Sequence, residues 1–438
     1  MKKSNLTTAM FSAILTFLFF ATGCQDKVYE TITYTANVPV YMDFEEFRGS
    51  VKTTATQELV NPGKIYFKDN LLYINEINQG IHVIDNTDPT APQKIAFITI
   101  PGNLDLAIRG NILFADSYID LVALDITNPS EPVEIDRIQN AFPNVLPPMD
   151  MSLPIVDLDF EKGVVVGWEE TQYTETIEKG NSFRKEWIQY DMDGVPGFNF
   201  AEISINSLGS TGISGSMARF TIYNDFMYAV QNNNLKLFNI ASVPGMSTGN
   251  EISLERVVET IFPYEGKLFL GTTTGMLVYS LSSPAAPVFI SAFDHMNSCD
   301  PVVVQGNLAY VTLRSGTQCF GFTNQLDVID ISSIQNPFLV KTYPMFNPHG
   351  LGIDDNVLFI CDGDAGLKIY DATDPMEIHM NQLAHFPDIK TYDVIPLNGV
   401  LMMIGADGLY QYDYSNINDI VLLSTIPVVP GNQNKVLP

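Results

Sequence analysis

A ten-residue segment in the last fifth of the chain reads Gly366-Leu367-Lys368-Ile369-Tyr370-Asp371-Ala372-Thr373-Asp374-Pro375. Its first half alternates apolar and polar side chains, the pattern of a β-strand with one buried face. Its second half is an Asp-Pro turn, in which proline fixes φ and the preceding aspartate can bond the backbone of the turn. The segment therefore predicts a strand that ends at Asp371 and reverses direction directly afterwards.

The same strand recurs along the chain, and its copies predict the architecture. Further copies are Gly80–Asp85, Asp120–Asp125, Trp187–Asp191, Asn234–Asn239, Gly275–Ser280, Gln325–Asp330 and Gly408–Asp413. Most neighbouring copies lie 40 to 50 residues apart, which is typical of a propeller blade built from four strands. We therefore predict an all-β propeller of four-stranded antiparallel blades, with eight blades preferred. The alternative is seven blades, with residues 155–215 as an insertion.

The turns between these strands point to the same fold. The tight turn between the first two strands of a blade is predicted at Gly110-Asn111, Gly306-Asn307, Asp355-Asn356 and Asn398-Gly399, because short hairpins favour these residues. Several copies of the strand continue into a turn bracketed by prolines, at Asp88–Pro92, Asn128–Pro132 and, more loosely, Ser283–Pro287. These strands and turns resemble the LVIVD-repeat family, β-propeller proteins found among bacterial surface and periplasmic lipoproteins. The resemblance covers roughly residues 64–425; it implies the fold and brings no catalytic motif to transfer.

The N-terminus has the features of a secretory signal. Met1-Lys2-Lys3 is basic, residues 6–21 are apolar and uncharged, and Ala21-Thr22-Gly23-Cys24 resembles a bacterial lipobox,. The apolar run is too short to span a membrane, so we expect Cys24 to carry a lipid anchor. The predicted domains are a lipoprotein signal peptide at 1–23, a tether with an extra strand at 24–63, the propeller at 64–426 and a tail at 427–438. The acidic residues after Cys24 are like those of lipoproteins exported to the surface in Bacteroidetes, so we predict an outer-membrane anchor, periplasmic or at the cell surface.

The charge of the chain restricts its partners. With 23 basic and 50 acidic residues the net charge is −27, which repels nucleic acid and anionic lipid headgroups. No cofactor is expected. The turn Asp362–Gly366 resembles the opening of a calcium loop, but no glutamate stands at the twelfth position that such a loop requires,.

Two further cysteines are predicted to form a disulfide. An oxidising compartment permits the bond, and the hairpin that turns at Gly306-Asn307 brings Cys299 near the loop that contains Cys319. Two buried thiols are the alternative. Cys361 follows an apolar strand and is expected to be buried,.

A candidate ligand site lies where the first strands of the blades begin, because these innermost strands line the channel of a propeller. Counting back from each tight turn places a mostly charged set there: Asp105, Asp157, Arg219, Asp300, His349 and Asp393. Such a channel mouth can bind a cation, a sugar or a zwitterion. The alternative is that each aspartate bonds the loop backbone between neighbouring blades.

Four long connections also fall on this face of the predicted propeller. They are residues 139–153, 169–185, 209–217 and 315–323, and loops displayed on a rigid scaffold are common binding elements. We predict a cell-envelope scaffold that binds a ligand or partner, either a glycan or an envelope protein, through the long-loop face. The alternative function is a glycan-active hydrolase or lyase that uses the carboxylates at the channel mouth. The motifs of serine hydrolases, zinc proteases and phosphate-binding loops are absent from the sequence,, which favours binding over catalysis.

Overall fold

The computed structural model describes residues 29–178, 213–294, 301–315 and 323–430. The described chain divides into two compact units. A small ribbon unit contains residues 29–39, 149–158 and 168–178, and a large ring unit contains residues 40–148, 159–167 and the described residues from 213 onwards. In the part of the chain that the structure describes, no helix has the length and apolarity of a membrane span.

Seven four-stranded antiparallel blades build the ring unit. Ahead of them come β1 (Tyr29–Met42), α1 (Phe44–Arg48) and β2 (Lys52–Thr54). Blade 1 contains β3 (Pro62–Lys68), β4 (Leu71–Glu76), β5 (Gly80–Asp85) and β6 (Gln93–Thr99). Blade 2 contains β7 (Leu106–Arg109), β8 (Ile112–Ser117), β9 (Asp120–Asp125) and β10 (Val133–Ile138). The strands β11 (Val164–Glu178) and β12 (Ile213–Ser214) follow and belong to neither blade 2 nor blade 3.

The remaining five blades follow without another insertion of that size. Blade 3 contains β13 (Phe220–Tyr223), β14 (Phe226–Gln231), β15 (Asn234–Asn239) and β16 (Ser247–Ser253). Blade 4 contains β17 (Val258–Tyr264), β18 (Lys267–Thr272), β19 (Gly275–Ser280) and β20 (Val288–Asp294). Blade 5 contains β21 (Val302–Gln305), β22 (Leu308–Leu313), β23 (Gln325–Asp330) and β24 (Phe338–Pro344). Blade 6 contains β25 (Leu351–Asp354), β26 (Val357–Cys361), β27 (Leu367–Asp371), a 3₁₀ turn (Ile378–Met380) and β28 (Gln382–Phe386). Blade 7 contains β29 (Asp393–Leu397), β30 (Val400–Gly405), β31 (Gly408–Asp413) and β32 (Val421–Pro427).

The prediction of a propeller with four-stranded antiparallel blades is confirmed, and the preferred count of eight is wrong. The first strands pack side by side in the order β3, β7, β13, β17, β21, β25, β29 and back to β3, which closes the ring with seven members. Blade 2 lies directly beside blade 3, so no place exists between them for an eighth. The residues assigned to the eighth blade include β11, which pairs with β1 in a separate sheet. The predicted strand Trp187–Asp191 lies outside the described residues.

The glycine at the start of several predicted repeats has a steric reason. Gly80, Gly275 and Gly408 open the third strands of their blades with φ between 141° and 146°. A Cβ atom on Gly80 would lie 1.9 Å from the carbonyl oxygen of Ile98 in the fourth strand. Glycine therefore allows the fourth strand to approach the third at that point.

The outer edge of every blade is irregular in the same way. In all seven blades the pairing between the third and fourth strands shifts register near its middle. Such β-bulges twist an edge strand away from a flat geometry and hinder the addition of another strand. The bulge therefore interrupts the outer edge of every blade, and β2, the strand added to blade 1, pairs only with residues 97–99 beyond the bulge.

Side chains and backbone both close the ring between blade 7 and blade 1. Leu59 forms a parallel bridge with Val428, and the amide of Val429 donates to the carbonyl of Leu59 at 2.8 Å. The side-chain amides of Asn86 and Gln411 exchange two hydrogen bonds, of 2.8 and 2.7 Å. Both side chains are buried, so the exchange satisfies groups that would otherwise lose their hydrogen bonds to water.

The segment before blade 1 is fixed to the outside of the ring. Asp43 caps α1 by accepting from the amide of Glu45 at 2.8 Å, and Phe47 of that helix is fully buried. Arg48 pairs with the buried carboxylate of Asp120 in blade 2 at 3.0 Å. The strand β2 then pairs with the outer strand of blade 1.

The ribbon unit is a two-stranded sheet with polar cross-strand pairs. The hydroxyls of Thr33 and Thr174 lie 2.9 Å apart, and the hydroxyl of Tyr34 donates to Glu175 at 3.0 Å. At its base, Asn37 forms a parallel bridge with Ile155. Such pairs stabilise a ribbon that has little apolar core of its own.

Candidate functional site

The centre of the ring contains a segment of the chain. Residues 213–219, here called the plug, precede blade 3, and their first two residues form β12 on the inner edge of β3 in blade 1. Ser216, Met217 and Ala218 are buried. Because the first strands of the blades line the channel, a segment paired with the inner edge of one of them lies within it.

The plug also bonds to the first strands of blades on other sides of the channel. The amide of Ser216 donates to Asp393 of blade 7 at 2.9 Å, and its hydroxyl oxygen accepts from the amide of Leu351 in blade 6 at 2.6 Å. The carbonyl of Ala218 accepts from the amide of Ile261 in blade 4 at 2.9 Å. The plug thus connects blades that are not neighbours in the ring.

Asp105 holds the end of the plug. Its Oδ2 atom accepts from the amides of Arg219 at 2.7 Å and Phe220 at 3.1 Å. The same oxygen accepts from Nζ of Lys64 in blade 1 at 2.5 Å, and both side chains are buried. Burial lowers the pKa of Lys64 to about 8, against the opposing effect of the charge of Asp105,.

Asp116 shapes the loop on which Asp105 lies. Its Oδ1 atom accepts from the amides of Leu104 at 2.8 Å and Asp105 at 2.9 Å, and from the side-chain amide of Asn103 at 2.8 Å. Burial raises the pKa of Asp116 to about 6, although these donors favour the ionised form,. The position of Asp105 therefore depends on a second carboxyl group that titrates near neutral pH.

Asp393 is the counterpart of Asp105 on blade 7. Its Oδ1 atom accepts from the amides of Ser216 and Val394, at 2.9 and 3.0 Å. Its Oδ2 atom is buried and finds no donor among the described residues. Burial raises the pKa of Asp393 well above its usual range, even though Lys64 favours the charged form,.

His349 lies in a different polar cluster, between blades 5, 6 and 7. Its Nδ1 atom is 2.9 Å from Nη1 of Arg314, and its Nε2 atom is 3.2 Å from Nδ2 of Asn347. The ring of His349 packs against that of Tyr392 at a centroid distance of 5.8 Å. Both His349 and Arg314 are buried, so this cluster joins the blades internally.

The turn that resembled a calcium loop is held by other contacts. Asp362 is fully buried and accepts from Nζ of Lys368 at 2.5 Å. Its Oδ1 atom also accepts from the amides of Phe346 at 3.0 Å and Asn347 at 2.8 Å. Among the described residues, no group of three or more metal-binding side chains comes together.

The remaining predicted site residues do not join this cluster. Asp157 belongs to the ribbon unit, where it accepts from the hydroxyl of Tyr173 at 3.1 Å. Asp300 lies outside the described residues, as do Cys24, Cys299 and Cys319. Within the ring, Asp105 and Arg219 immediately precede the first strands of their blades, and Asp393 begins one. The plug contacts both Asp105 and Asp393. Asp105 and Asp393 make backbone bonds of the kind that the alternative interpretation expected, and their role in ligand binding stays a prediction.

Sequence reasoning missed three residues that organise the channel mouth. Ser216 lies in a glycine- and serine-rich loop without periodicity, Asp116 lies inside a second strand, and Arg314 follows one. A weak signal existed for Asp116, since a charged side chain followed the apolar run Ile112–Ala115. No pattern in the sequence identified Ser216 as a residue of the channel.

Two segments of the chain match a known repeat family. The LVIVD repeat family model matches residues 104–139 and 298–344, which contain the strands of blades 2 and 5. The chain therefore carries LVIVD repeats, as the sequence resemblance implied. A comparison with curated protein sequences finds no match.

Several solved structures align with this chain at low sequence identity. The periplasmic gluconolactonase PpgL of Pseudomonas aeruginosa aligns with a TM-score of 0.51 at 10% identity, over 80% of this chain and 93% of that one. BamB from Moraxella catarrhalis aligns with a TM-score of 0.46 at 6% identity, over 88% and 97%. The computationally designed Ika8 protein gives 0.47 at 11% identity, over 91% and 93%. Similarity at this level concerns the fold alone.

Proposed function

We propose that this protein is a cell-envelope lipoprotein whose β-propeller is a binding scaffold. Its ligand or partner engages the face at which the long loops emerge. The observation that carries the proposal is the plug: Ser216 and Arg219 use the carboxylates of Asp393 and Asp105, which were the candidates for binding a solute in the channel. A macromolecule that contacts the rim of a filled channel fits this arrangement better than a small molecule inside it.

The long connections at this face come from two places in the chain, instead of the four separate insertions that the sequence suggested. With seven blades, three of the predicted long connections belong to a single insertion, residues 139–219, between the last strand of blade 2 and the first strand of blade 3. The fourth connects β22 to β23 in blade 5. In an up-and-down blade both kinds of connection emerge at the same face of the ring, and rigid scaffolds commonly present binding loops in this way.

A glycan or an envelope protein is the expected ligand class. Binding of the purified soluble domain to a glycan array and to a peptide array would identify the class. The double variant Asp157→Lys, Asp300→Lys should abolish that binding while the protein still unfolds cooperatively, with a lower midpoint because Asp157 loses its hydrogen bond from Tyr173. Asp88→Lys, Glu131→Lys is the matched control, since both residues are exposed on turns of the opposite face and the change in charge is equal. Loss of binding in the control alone would contradict the proposed face.

Attachment to the membrane is the second part of the proposal. It rests on the basic start, the short apolar run and the lipobox-like Ala21–Cys24,. Cys24→Ala should move the protein from the membrane fraction to the soluble fraction of the cell. Identical fractionation of the wild type and the variant would contradict attachment through Cys24. The binding function is tested separately by the arrays.

The alternative, a hydrolase or lyase, has one observation in its favour. Asp116, whose pKa burial raises to about 6, lies beside Asp105, and a carboxyl group with a raised pKa can act as a general acid. Against it, the known oxygen contacts of both groups are with backbone amides and side chains of the ring itself. Hydrolysis of a polysaccharide panel by the wild type and its loss in Asp116→Asn would favour the enzyme over the scaffold.

A further inference from the structure

The outer strands of blades 4, 5 and 7 begin with two exposed apolar residues. Val288 and Phe289 pair with Ser280 and Tyr279 in the register of blade 4. The same two register positions contain Phe338 and Leu339 in blade 5, and Val421 and Leu422 in blade 7. All six side chains belong to the exposed large hydrophobic residues of the protein.

The other blades show that the fold does not require apolar residues there. The equivalent pair is Gln93-Lys94 in blade 1, Val133-Glu134 in blade 2 and Ser247-Thr248 in blade 3. These strands have the same register and bulge as those of blades 4, 5 and 7. Blades 1 and 3 therefore fold with two polar residues at these positions. Phe289 contacts the ring of Tyr279 at a centroid distance of 5.6 Å, yet it and the other five side chains stay exposed, which is a sign of an interaction surface.

Blade 6 extends the apolar surface by a different route. Its third and fourth strands are connected by a longer turn that contains the 3₁₀ turn Ile378–Met380. Met376 and Met380 are exposed on it, Met380 over 73% of its surface. Beside them lies a cleft of about 270 Å³, lined in part by Tyr343, Met345 and Ile378.

Four consecutive blades thus present apolar side chains at one level of the outer rim. We call this surface the apolar arc; it consists of Val288, Phe289, Phe338, Leu339, Met376, Met380, Val421 and Leu422, which are each exposed over 44% to 73% of their surface. A monomeric protein seldom keeps so many large apolar side chains exposed at equivalent positions. Because each outer strand is bulged just beyond the pair, a partner reaches these side chains without adding a strand.

Carboxylates accompany the apolar arc. Asp330 pairs with Phe338 and Asp413 with Val421 at the ends of the third strands. Asp371 holds the corresponding place in blade 6, and Asp374 and Glu377 are exposed on its longer turn. Hydrogen bonds from Thr373 and Ser415 lower the pKa of Asp371 and Asp413, so these groups are ionised at neutral pH.

The charge of the apolar arc favours one kind of binding partner over a lipid surface or a second copy of the chain. Anionic lipid headgroups are repelled by its carboxylates, and a second copy of a chain with net charge −27 brings the same sign of charge. We propose that the apolar arc is the docking surface for a protein partner whose contact surface combines apolar side chains with Lys and Arg. The arc lies on the outer rim, at the end of the blades opposite to the long loops, so this interaction goes beyond the binding proposed above.

A charge-neutral variant tests the proposal. Phe289→Thr, Leu339→Thr, Leu422→Thr gives three blades the threonine that blade 3 already has at Thr248, and exposed strand positions tolerate threonine. The probe is a short labelled peptide of alternating Phe and Lys, compared with Phe/Glu and Ser/Lys versions of equal length. Fluorescence anisotropy should show that the Phe/Lys peptide binds the wild type best, with Kd raised at least about tenfold in the triple variant. Val133→Thr, which removes an exposed apolar residue outside the arc, should leave Kd unchanged.

Several outcomes would overturn the proposal. They are failure of the Phe/Lys peptide to bind the wild type, equal affinity of the wild type and the triple variant, and equal binding of the Ser/Lys peptide. Binding of wild type, but not of the triple variant, to phosphatidylcholine vesicles would assign the arc to a lipid surface instead. A wild-type dimer that dissociates in the triple variant, measured by sedimentation equilibrium, would assign it to a second copy. Unfolding curves of both variants check that the ring is intact, and array binding at the long-loop face is scored separately.

Discussion

The amide of Ser216 donates to Oδ1 of Asp393 at 2.9 Å and joins the plug to the first residue of blade 7. The other oxygen of Asp393 is buried without a donor among the described residues, and burial raises the pKa of this carboxyl well above its usual range. Both observations disfavour the charged form, because an ionised carboxylate would place charge on a buried oxygen that has no donor to stabilise it. Asp393 therefore acts as a hydrogen-bond acceptor for the plug.

Two substitutions at Asp393 should separate the contribution of its hydrogen-bond acceptor to stability from the contribution of its charge. Asp393→Asn keeps an acceptor for Ser216 and is expected to unfold within about 1 kcal/mol of the wild type at neutral pH. Asp393→Ala leaves the amides of Ser216 and Val394 without their acceptor. Each unsatisfied amide should lower the free energy of unfolding by at most about 1 to 3 kcal/mol, and by less where the backbone relaxes. Urea unfolding measures both values, and Asp388→Ala, at an exposed position, is the control. A loss in Asp393→Asn as large as that in Asp393→Ala would contradict the role of Asp393 as a hydrogen-bond acceptor for the plug.

The pH dependence of stability should reveal Asp116. Its pKa is raised from 3.8 to about 6 in the folded protein, so the folded state binds more protons than the unfolded state between these values. The contribution of Asp116 to stability is therefore fully present below pH 3.8 and is lost as the pH rises through about 6. Asp116→Asn should remove a decline of about 2 to 3 kcal/mol between pH 4 and pH 7. Urea unfolding at several pH values checks it, and parallel curves for wild type and variant would contradict it.

Local patterns in the sequence predicted the blades because the blades are local structures. The seven third strands that the structure describes end on the predicted residues, from Asp85 to Asp413. Alternation, glycine and the turn residues act within one repeat, so they can be read from one repeat. The eighth copy, Trp187–Asp191, matched the pattern of a third strand. That pattern does not show whether the three other strands of a blade accompany it.

The sequence predicted which residues lie at the channel mouth, but it did not predict their hydrogen-bond partners. Asp105 and Asp393 begin their blades where the count from the tight turns placed them. Ser216, the partner of Asp393, is 177 residues away from it and comes from a loop without periodicity. A hydrogen bond of that range depends on ring closure, which a single sequence does not encode locally.

Ring closure can be measured through Asn86 and Gln411. These buried residues are 325 positions apart and exchange two hydrogen bonds. A double-mutant cycle with Asn86→Ala and Gln411→Ala should give a coupling energy of about 1 to 2 kcal/mol, because each single change removes both bonds of the exchange. Nε2 of Gln411 keeps its contacts with Pro89 and Ser424 in Asn86→Ala. The exposed pair Asn111 and Thr127, which is 3.2 Å apart within blade 2, should couple by less than about 0.5 kcal/mol. Additive effects at Asn86 and Gln411 would contradict a role in closing the ring.

The last prediction is a disulfide between Cys299 and Cys319. Both residues lie outside the described part of the chain, but the hairpin of blade 5 approaches them from either side. Its first two strands pair Val302 with Val311, and the amide of Thr312 donates to the carbonyl of Pro301 at 3.2 Å. Pairing is thus retained to within two residues of Cys299, at the end of the hairpin from which the loop containing Cys319 departs.

A variant without the other two cysteines makes the test unambiguous. Of the four cysteines in the sequence, Cys24 and Cys361 are replaced in Cys24→Ser, Cys361→Ala, so only Cys299 and Cys319 can react. Intact-mass measurement after alkylation should show no adduct before reduction and two adducts after it. Two adducts without reduction would rule the bond out. If the bond forms, reduction should lower the free energy of unfolding by about 3 kcal/mol or less, because the paired strands of the hairpin already restrict the loop that the bond closes.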